Sequence, residues 1–188
     1  CWKLCVSGAT CCESNGDNAP SADNQQERPS RVSENGFSDE LGHYLAGFVD
    51  GEGSFNVSIK KVNDRNLGWR VTACFNVSQR ESRVLELLQK ALGCGTIRAR
   101  RDGVHYFEVN SFHDLVNTVV PFFRKYSLRS PDKSETLEVF AQICEMMCAG
   151  EHLSPEGVRE IVRLRNRTNN ETSKRHRSDN DILDSLDG

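Results

Sequence analysis

Apolar residues recur three and four apart from Leu41 through Tyr44, Leu45 and Phe48 to Val49, behind a serine at position 38 suited to cap a helix. The run stops at Asp50-Gly51-Glu52-Gly53 and turns straight into alternation: Phe55, Val57 and Ile59 against Asn56, Ser58 and Lys60. That is a strand with one apolar and one polar face. After a polar loop from Val62 to Gly68, alternation returns from Trp69 to Gln79. Val71, Ala73, Phe75 and Val77 share one side, and Arg70, Thr72, Cys74, Asn76 and Ser78 the other.

Arg83 to Leu92 carries Val84, Leu87, Leu88 and Leu92 at helical spacing, stopped by Gly93. Thr96 to Arg101 and Val104 to Asn110 flank Asp102-Gly103, a strong hairpin signal. Ser111 to Tyr126 reads as a serine-capped helix that Pro121 should bend or interrupt. Ser134 to Cys148 is an amphipathic helix, Ser154-Pro155-Glu156 opens another, and Asp181 to Leu186 forms a last short turn. The order is αββαββα followed by further helices, an α+β fold with a four-stranded antiparallel sheet. One face of that sheet must be covered by helices and the other left polar and basic.

A length of 188 residues suits one domain with tails, here 37–170 with an extension at 1–36 and a tail at 171–188. Residues 1–36 are rich in Ser, Asn, Gln, Glu and Pro and are expected to be disordered or extraneous. Their acids argue against a transit peptide, and Cys rather than Met at position 1 is not an ordinary start. The net charge of −3 says little about nucleic acid, but its distribution says more. From Asn56 to Arg101 there are ten Lys/Arg against three acids, whereas from Cys1 to Glu40 there are three against seven. A basic middle behind acidic ends is the footprint of a phosphate-binding surface.

Of eight cysteines, Cys1, Cys5, Cys11 and Cys12 fit no common zinc spacing, and Cys74, Cys94, Cys144 and Cys148 fall on expected core elements. Reduced thiols in an intracellular protein are the expectation, in bacterial cytoplasm or an organelle interior. No apolar run reaches membrane-spanning length.

Gly47 and Gly51 stack on one helical face and leave it bare, so a second backbone can approach closely. An acidic side chain is thereby held at the foot of a helix that wants a partner. The stretch Leu45-Ala46-Gly47-Phe48-Val49-Asp50-Gly51-Glu52-Gly53, with a strand, hairpin, helix and second hairpin behind it, resembles the motif of the LAGLIDADG homing endonucleases. The resemblance runs from about Leu41 to Leu137.

It implies a site-specific endonuclease hydrolysing phosphodiesters with Mg²⁺, two or three divalent ions being shared across a dimer. Glu52 stands where the family has its metal-binding acid, with the Gly51 carbonyl as companion ligand. Asp50 is expected to serve the helix end rather than a metal. Gln79 and Arg83 match positions that order water and offset charge. A basic residue beyond the Pro121 helix is also implied, Lys133 or else Arg129. The polar sheet face would lie in the DNA groove with Asn56, Ser58, Lys60, Arg70, Thr72, Asn76, Arg98 and Arg100, amides and guanidiniums being the groups that read purine edges. Alternation leaves the orientation of His105 and Phe107 open, and the resemblance to the family's fourth strand implies that they point toward DNA.

One copy of the motif provides one Glu52, whereas a duplex needs two cuts. The economical solution is a homodimer packed through Gly47 and Gly51 on double-stranded DNA, with a pseudo-palindromic target and short 3′ overhangs. An RNA-binding maturase and a non-catalytic DNA-binding regulator are alternatives on the same scaffold. The basic run Arg159, Arg163, Arg165 and Arg167 is continued by Lys174, Arg175 and Arg177; its helical part, Arg159 to Arg167, is where an RNA face would be sought, contact with DNA flanks or solvent being the stronger expectation.

Overall fold

The computed structural model describes residues 36–62, 68–168 and 173–186. The expected extension therefore lies outside the described residues apart from Gly36, as do Cys1, Cys5, Cys11, Cys12 and residues 63–67.

Helix α1 (Asp39–Glu52) starts as expected, the Ser38 hydroxyl accepting the Leu41 N–H at 3.3 Å. Strand β1 (Gly53–Lys61) follows with no intervening loop and pairs with β2 (Trp69–Gln79). Helix α2 (Ser82–Leu92) ends on Gly93, whose φ of 66° is the left-handed conformation that glycine adopts freely. Strands β3 (Thr96–Ala99) and β4 (His105–Val109) complete a four-stranded sheet in the order β1-β2-β4-β3, antiparallel throughout.

Opposite residues in register share a face, so Phe55, Phe75 and Val109 line up across β1, β2 and β4. Phe75 and Phe107 are fully buried there. Phe55 stacks on Phe75 at 5.0 Å, and Phe123 meets Phe75 edge-on at 5.3 Å from the helical layer. This aromatic cluster is the centre of the core. Truncating Phe75 to Ala is expected to cost about 3–5 kcal/mol.

The helix does not end at Pro121, but its α-helical pattern is interrupted just before it. Helix α3 runs through Phe112–Asp114, a π-helical turn Leu115–Val119 and Val120–Tyr126. The Val120 N–H reaches back to the Leu115 carbonyl, one residue further than in an α-helix. The widened turn makes room where the proline ring would collide with the preceding turn.

Helix α4 (Pro131–Cys148) begins three residues earlier than the periodicity predicts. After a 3₁₀ turn at Glu151–Leu153, α5 (Pro155–Thr168) is capped by Ser154, whose hydroxyl accepts the Gly157 N–H at 3.1 Å. Helix α6 (Ser173–Leu186) replaces the expected tail. It packs back on α5: Ile182 is fully buried, and Asp179 makes a buried ion pair with Arg165.

That pairing removes Arg165 from the basic run, of which Arg163 and Arg167 stay exposed. Arg165 turns inward, Arg159 donates to the Leu186 carbonyl at 2.7 Å and approaches Glu156, and Arg163 approaches Glu160 at 3.4 Å. The side chains of Lys174, Arg175 and Arg177 lie outside the described residues. Among the described cysteines all four are free, with burial pushing the Cys144 thiol up to about 12 and Cys94 up to about 11. Cys148 is exposed rather than in the core. No helix among the described residues is long and apolar enough to cross a membrane.

Candidate active site and nucleic-acid interface

The end of α1 sets the site. Leu45, Ala46 and Val49 are buried on its inner side, so the opposite side is left outward. Gly47 and Gly51 are both exposed there, and a Cβ added to either meets nothing within 4 Å in this chain. Tyr44, on the same outward side, is 54% exposed. Gly53 breaks the helix in extended conformation, and an added Cβ there would collide with Val49. Only glycine lets the first strand start this close beneath the helix. Glu52 consequently projects at the junction, exposed, with Gly51 beside it.

Lys133, in the first turn of α4, reaches this junction: its Nζ donates to the Gly53 carbonyl at 2.6 Å. Asp50 is committed to the same approach. Its Oδ2 accepts the Arg129 N–H at 3.2 Å, the Ser130 N–H at 2.9 Å and the Ser130 hydroxyl at 2.9 Å. Asp50 thus serves a helix end, as expected, but that of α4 rather than its own. Of the two candidate basic residues, Lys133 brings its side-chain nitrogen to the motif, whereas Arg129 contributes a backbone N–H.

Gln79 closes β2 two residues beyond Val77, which stands opposite Gly53, and is half-buried. Arg83 is exposed in the first turn of α2. Glu52 and the Gly51 carbonyl are hard oxygen donors of the kind magnesium takes. No group of three His, Cys, Asp or Glu side chains gathers among the described residues. At this junction the chain by itself offers one carboxylate and one backbone carbonyl, a donor set of the hard-oxygen type.

The polar sheet face carries most of the expected residues. Asn56 stands opposite Cys74, Ser58 opposite Thr72 and Lys60 opposite Arg70. Asn76 continues this face, next to Ser54 on one side and Glu108 on the other. The hydroxyls of Ser58 and Thr72 bond at 2.7 Å, and Asn56 donates to Ser54 at 2.9 Å. Arg98 stands opposite Tyr106 and pairs with Glu108 at 3.3 Å, while the Arg100 guanidinium lies 4.1 Å over the Tyr106 ring.

His105 and Phe107 are corrected. Phe107 is fully buried, and His105 shares its side of β4, its Nδ1 bonded to the Arg80 carbonyl at 2.9 Å. The cause is the length of the hairpin loop. A two-residue Asp102-Gly103 turn would set Arg100 opposite His105. Instead Arg100 N–H bonds the Val104 carbonyl at 2.8 Å around a three-residue loop, with Gly103 at φ 78°. One residue of slip exchanges the faces of the whole strand. Tyr106 and Glu108 take the outward places, which the turn signal alone did not reveal.

Comparison with known proteins bears on this arrangement. The sequence profile of the LAGLIDADG endonuclease family matches residues 45–144, more than half of the chain. A Neurospora crassa protein named "Probable intron-encoded endonuclease 2" is 33% identical over 126 residues, covering 65% of this chain and 28% of that protein. The chain thus spans little more than a quarter of that relative.

Two solved structures carry the fold. The homing endonuclease I-TnaI superposes with a TM-score of 0.67 at 31% identity, over 77% of this chain and 97% of that one. I-LtrWI, described as a LAGLIDADG homing endonuclease bound to target DNA, gives 0.69 at 28% identity, over 75% of this chain and 49% of that one. With the motif, the helix-to-strand junction and the four-stranded antiparallel sheet all in place, this chain belongs to the LAGLIDADG endonuclease family.

Proposed function

We propose that this chain is the catalytic unit of a site-specific double-strand DNA endonuclease of the homing type. The observation that carries the reading is an exposed carboxylate, Glu52, at the same helix-to-strand junction as the Lys133 ammonium and at the head of a sheet face of amides and guanidiniums. Asn56, Ser58, Lys60, Arg70, Thr72, Asn76, Arg98 and Arg100 supply the donors and acceptors that read base edges or hold phosphates. Tyr106 and Glu108 join them in the place of His105.

Glu52 and the Gly51 carbonyl would hold Mg²⁺, two or three ions being shared across a dimer. When bound, the metal supplies an activated water, neutralised phosphate charge and a stabilised leaving oxygen. The protein does the remainder. Gln79 orients water with its amide, and Arg83 and Lys133 set positive charge against the phosphate as negative charge grows there.

One unit carries one Glu52, so cutting both strands calls for two units. The bare face at Tyr44, Gly47 and Gly51 suits a second copy of α1. That I-LtrWI, a DNA-bound protein, is about twice the length matched here agrees with a two-unit enzyme. The target would be pseudo-palindromic, cut to short 3′ overhangs.

Cleavage of a randomised plasmid library in Mg²⁺, wild type against Glu52→Gln, tests the reading. Specific cutting is expected to fall at least about 10³-fold in Glu52→Gln with binding retained. Binding without cutting in the wild type would make the protein a regulator instead. Gly47→Leu tests the dimer: Gly47 is exposed and a Cβ there meets nothing within 4 Å in the single chain, so the variant should fold and yet remain monomeric by light scattering. A wild type that stays monomeric on DNA overturns the two-copy arrangement.

A further inference from the structure

At the site, one charge from each of two helices sits against the end of the other. The last turn of α1 holds Asp50 and Glu52 and no basic residue, although a helix C-terminus favours cations. The first turn of α4 holds Lys133 beside Asp132, and a helix N-terminus favours the anion of the two. The charges of Asp50 and Lys133 each suit the other helix. The Asp50 carboxylate lies against the N-terminus of α4, and the Lys133 ammonium reaches the carbonyl of Gly53, the residue that ends α1.

Ser130, at the cap position of α4, makes no capping bond to its own helix and donates its hydroxyl to Asp50 instead. Asp50 Oδ2 takes all three bonds, while its buried Oδ1 accepts none within the described residues. A carboxylate kept at that desolvation cost is spent on holding the start of α4. The loop is closed: Asp50 holds Ser130, Ser130 begins the turn that carries Lys133, and Lys133 returns to Gly53, beside Glu52.

We propose that Asp50 is the positioning residue for Lys133: it acts on cleavage by fixing the first turn of α4, and it holds no metal itself. This rests on the nuclease reading above. The test uses single-turnover cleavage, in Mg²⁺, of a site selected from the randomised library. The proteins are wild type, Asp50→Ala, Asp50→Asn, Lys133→Ala and the double variant Asp50→Ala with Lys133→Ala. A parallel arm measures hydrogen exchange at the Ser130 amide in metal-free protein.

Asp50→Ala is expected to slow cleavage about 100-fold, the scale of a catalytic group displaced by an ångström, with DNA affinity within about threefold. Asp50→Asn, which keeps an acceptor oxygen, should recover most of that loss and serves if the alanine variant does not fold. In the Lys133→Ala background the Asp50 change should cost less than about threefold, because residues acting as one unit are not additive. The Ser130 amide should exchange faster in Asp50→Ala. Losses that multiply, or an unchanged Ser130 amide, overturn the assignment. Failure of the wild type to cut any DNA overturns the nuclease reading instead, and the exchange arm still judges the contact.

Discussion

Two stretches of this chain look alike in composition and end differently. The strands from Asn56 to Arg101 and the helix from Arg159 to Arg167 are both rich in arginine and lysine. On the sheet, Lys60 and Arg70 face outward side by side, and Arg98 and Arg100 lie flat against Glu108 and Tyr106 on the same surface. On α5, Arg165 is buried against Asp179, while Arg159 and Arg163 engage Glu156, Leu186 and Glu160. What separates the two stretches is burial: Arg165 is withdrawn into the protein with Asp179, whereas the pairs of Arg98 and Arg163 stay at the surface. Of the stretch on which the maturase reading would place an RNA face, only Arg165 is buried; Arg163 and Arg167 stay exposed.

The comparison is most sharply tested by breaking the buried pair. Arg165→Ala leaves Asp179 charged and buried, so unfolding by urea should show a loss of about 3–5 kcal/mol. DNA affinity of the folded fraction should be unchanged, and a selective loss of affinity would return α5 to the binding surface. Next in size is Arg98→Ala. It should relax base preference at particular target positions by roughly 1–3 kcal/mol in a specificity profile, with little change in stability. Lys60→Ala should weaken all sequences about equally and reduce the slope of log affinity against log salt by about 1. Equal effects of the Arg98 and Lys60 changes on every base would make both of them phosphate contacts.

The smallest effects belong to exposed ion pairs. Arg163→Ala breaks a solvent-exposed pair three residues apart and should cost at most about 0.5 kcal/mol. Arg124 and Glu138 are a second case. The Arg124 hydrogen bond is the main reason the Glu138 carboxyl is held below its ordinary value of 4.5. Its contribution is therefore complete above pH 4.5 and is lost as pH falls through the lowered value. Both side chains are about half exposed, so only a few tenths of a kcal/mol should separate wild type from Arg124→Ala in urea at pH 7. The gap should close under acid conditions.

What was legible in the chain was whatever depends on neighbours in sequence. The helix ending at Glu52, the glycine-bare side of α1 and the outward places of Asn56, Ser58, Lys60, Arg70, Thr72 and Asn76 follow from periods of 3.6 and 2. The π-helical turn before Pro121 was not legible, because periodicity marks a proline as a defect and does not show how the backbone absorbs it. Tyr106 and Glu108 were missed because one residue in a hairpin loop decides the parity of a strand, and Asp102-Gly103 is compatible with either loop length. Lys133 and Arg129 differ in their contacts, which local spacing does not show: the Lys133 Nζ reaches the Gly53 carbonyl, whereas Arg129 gives Asp50 its backbone N–H.

By itself the sequence determined the family, the motif helix with its acid, and the sheet with one basic face, since each is written in local spacing. Tertiary structure decided which charges remain available: Asp179 is 14 residues from Arg165 and Ser130 is 80 from Asp50. Pairing over such distances is set by how helices pack on a shared core, which no local pattern encodes.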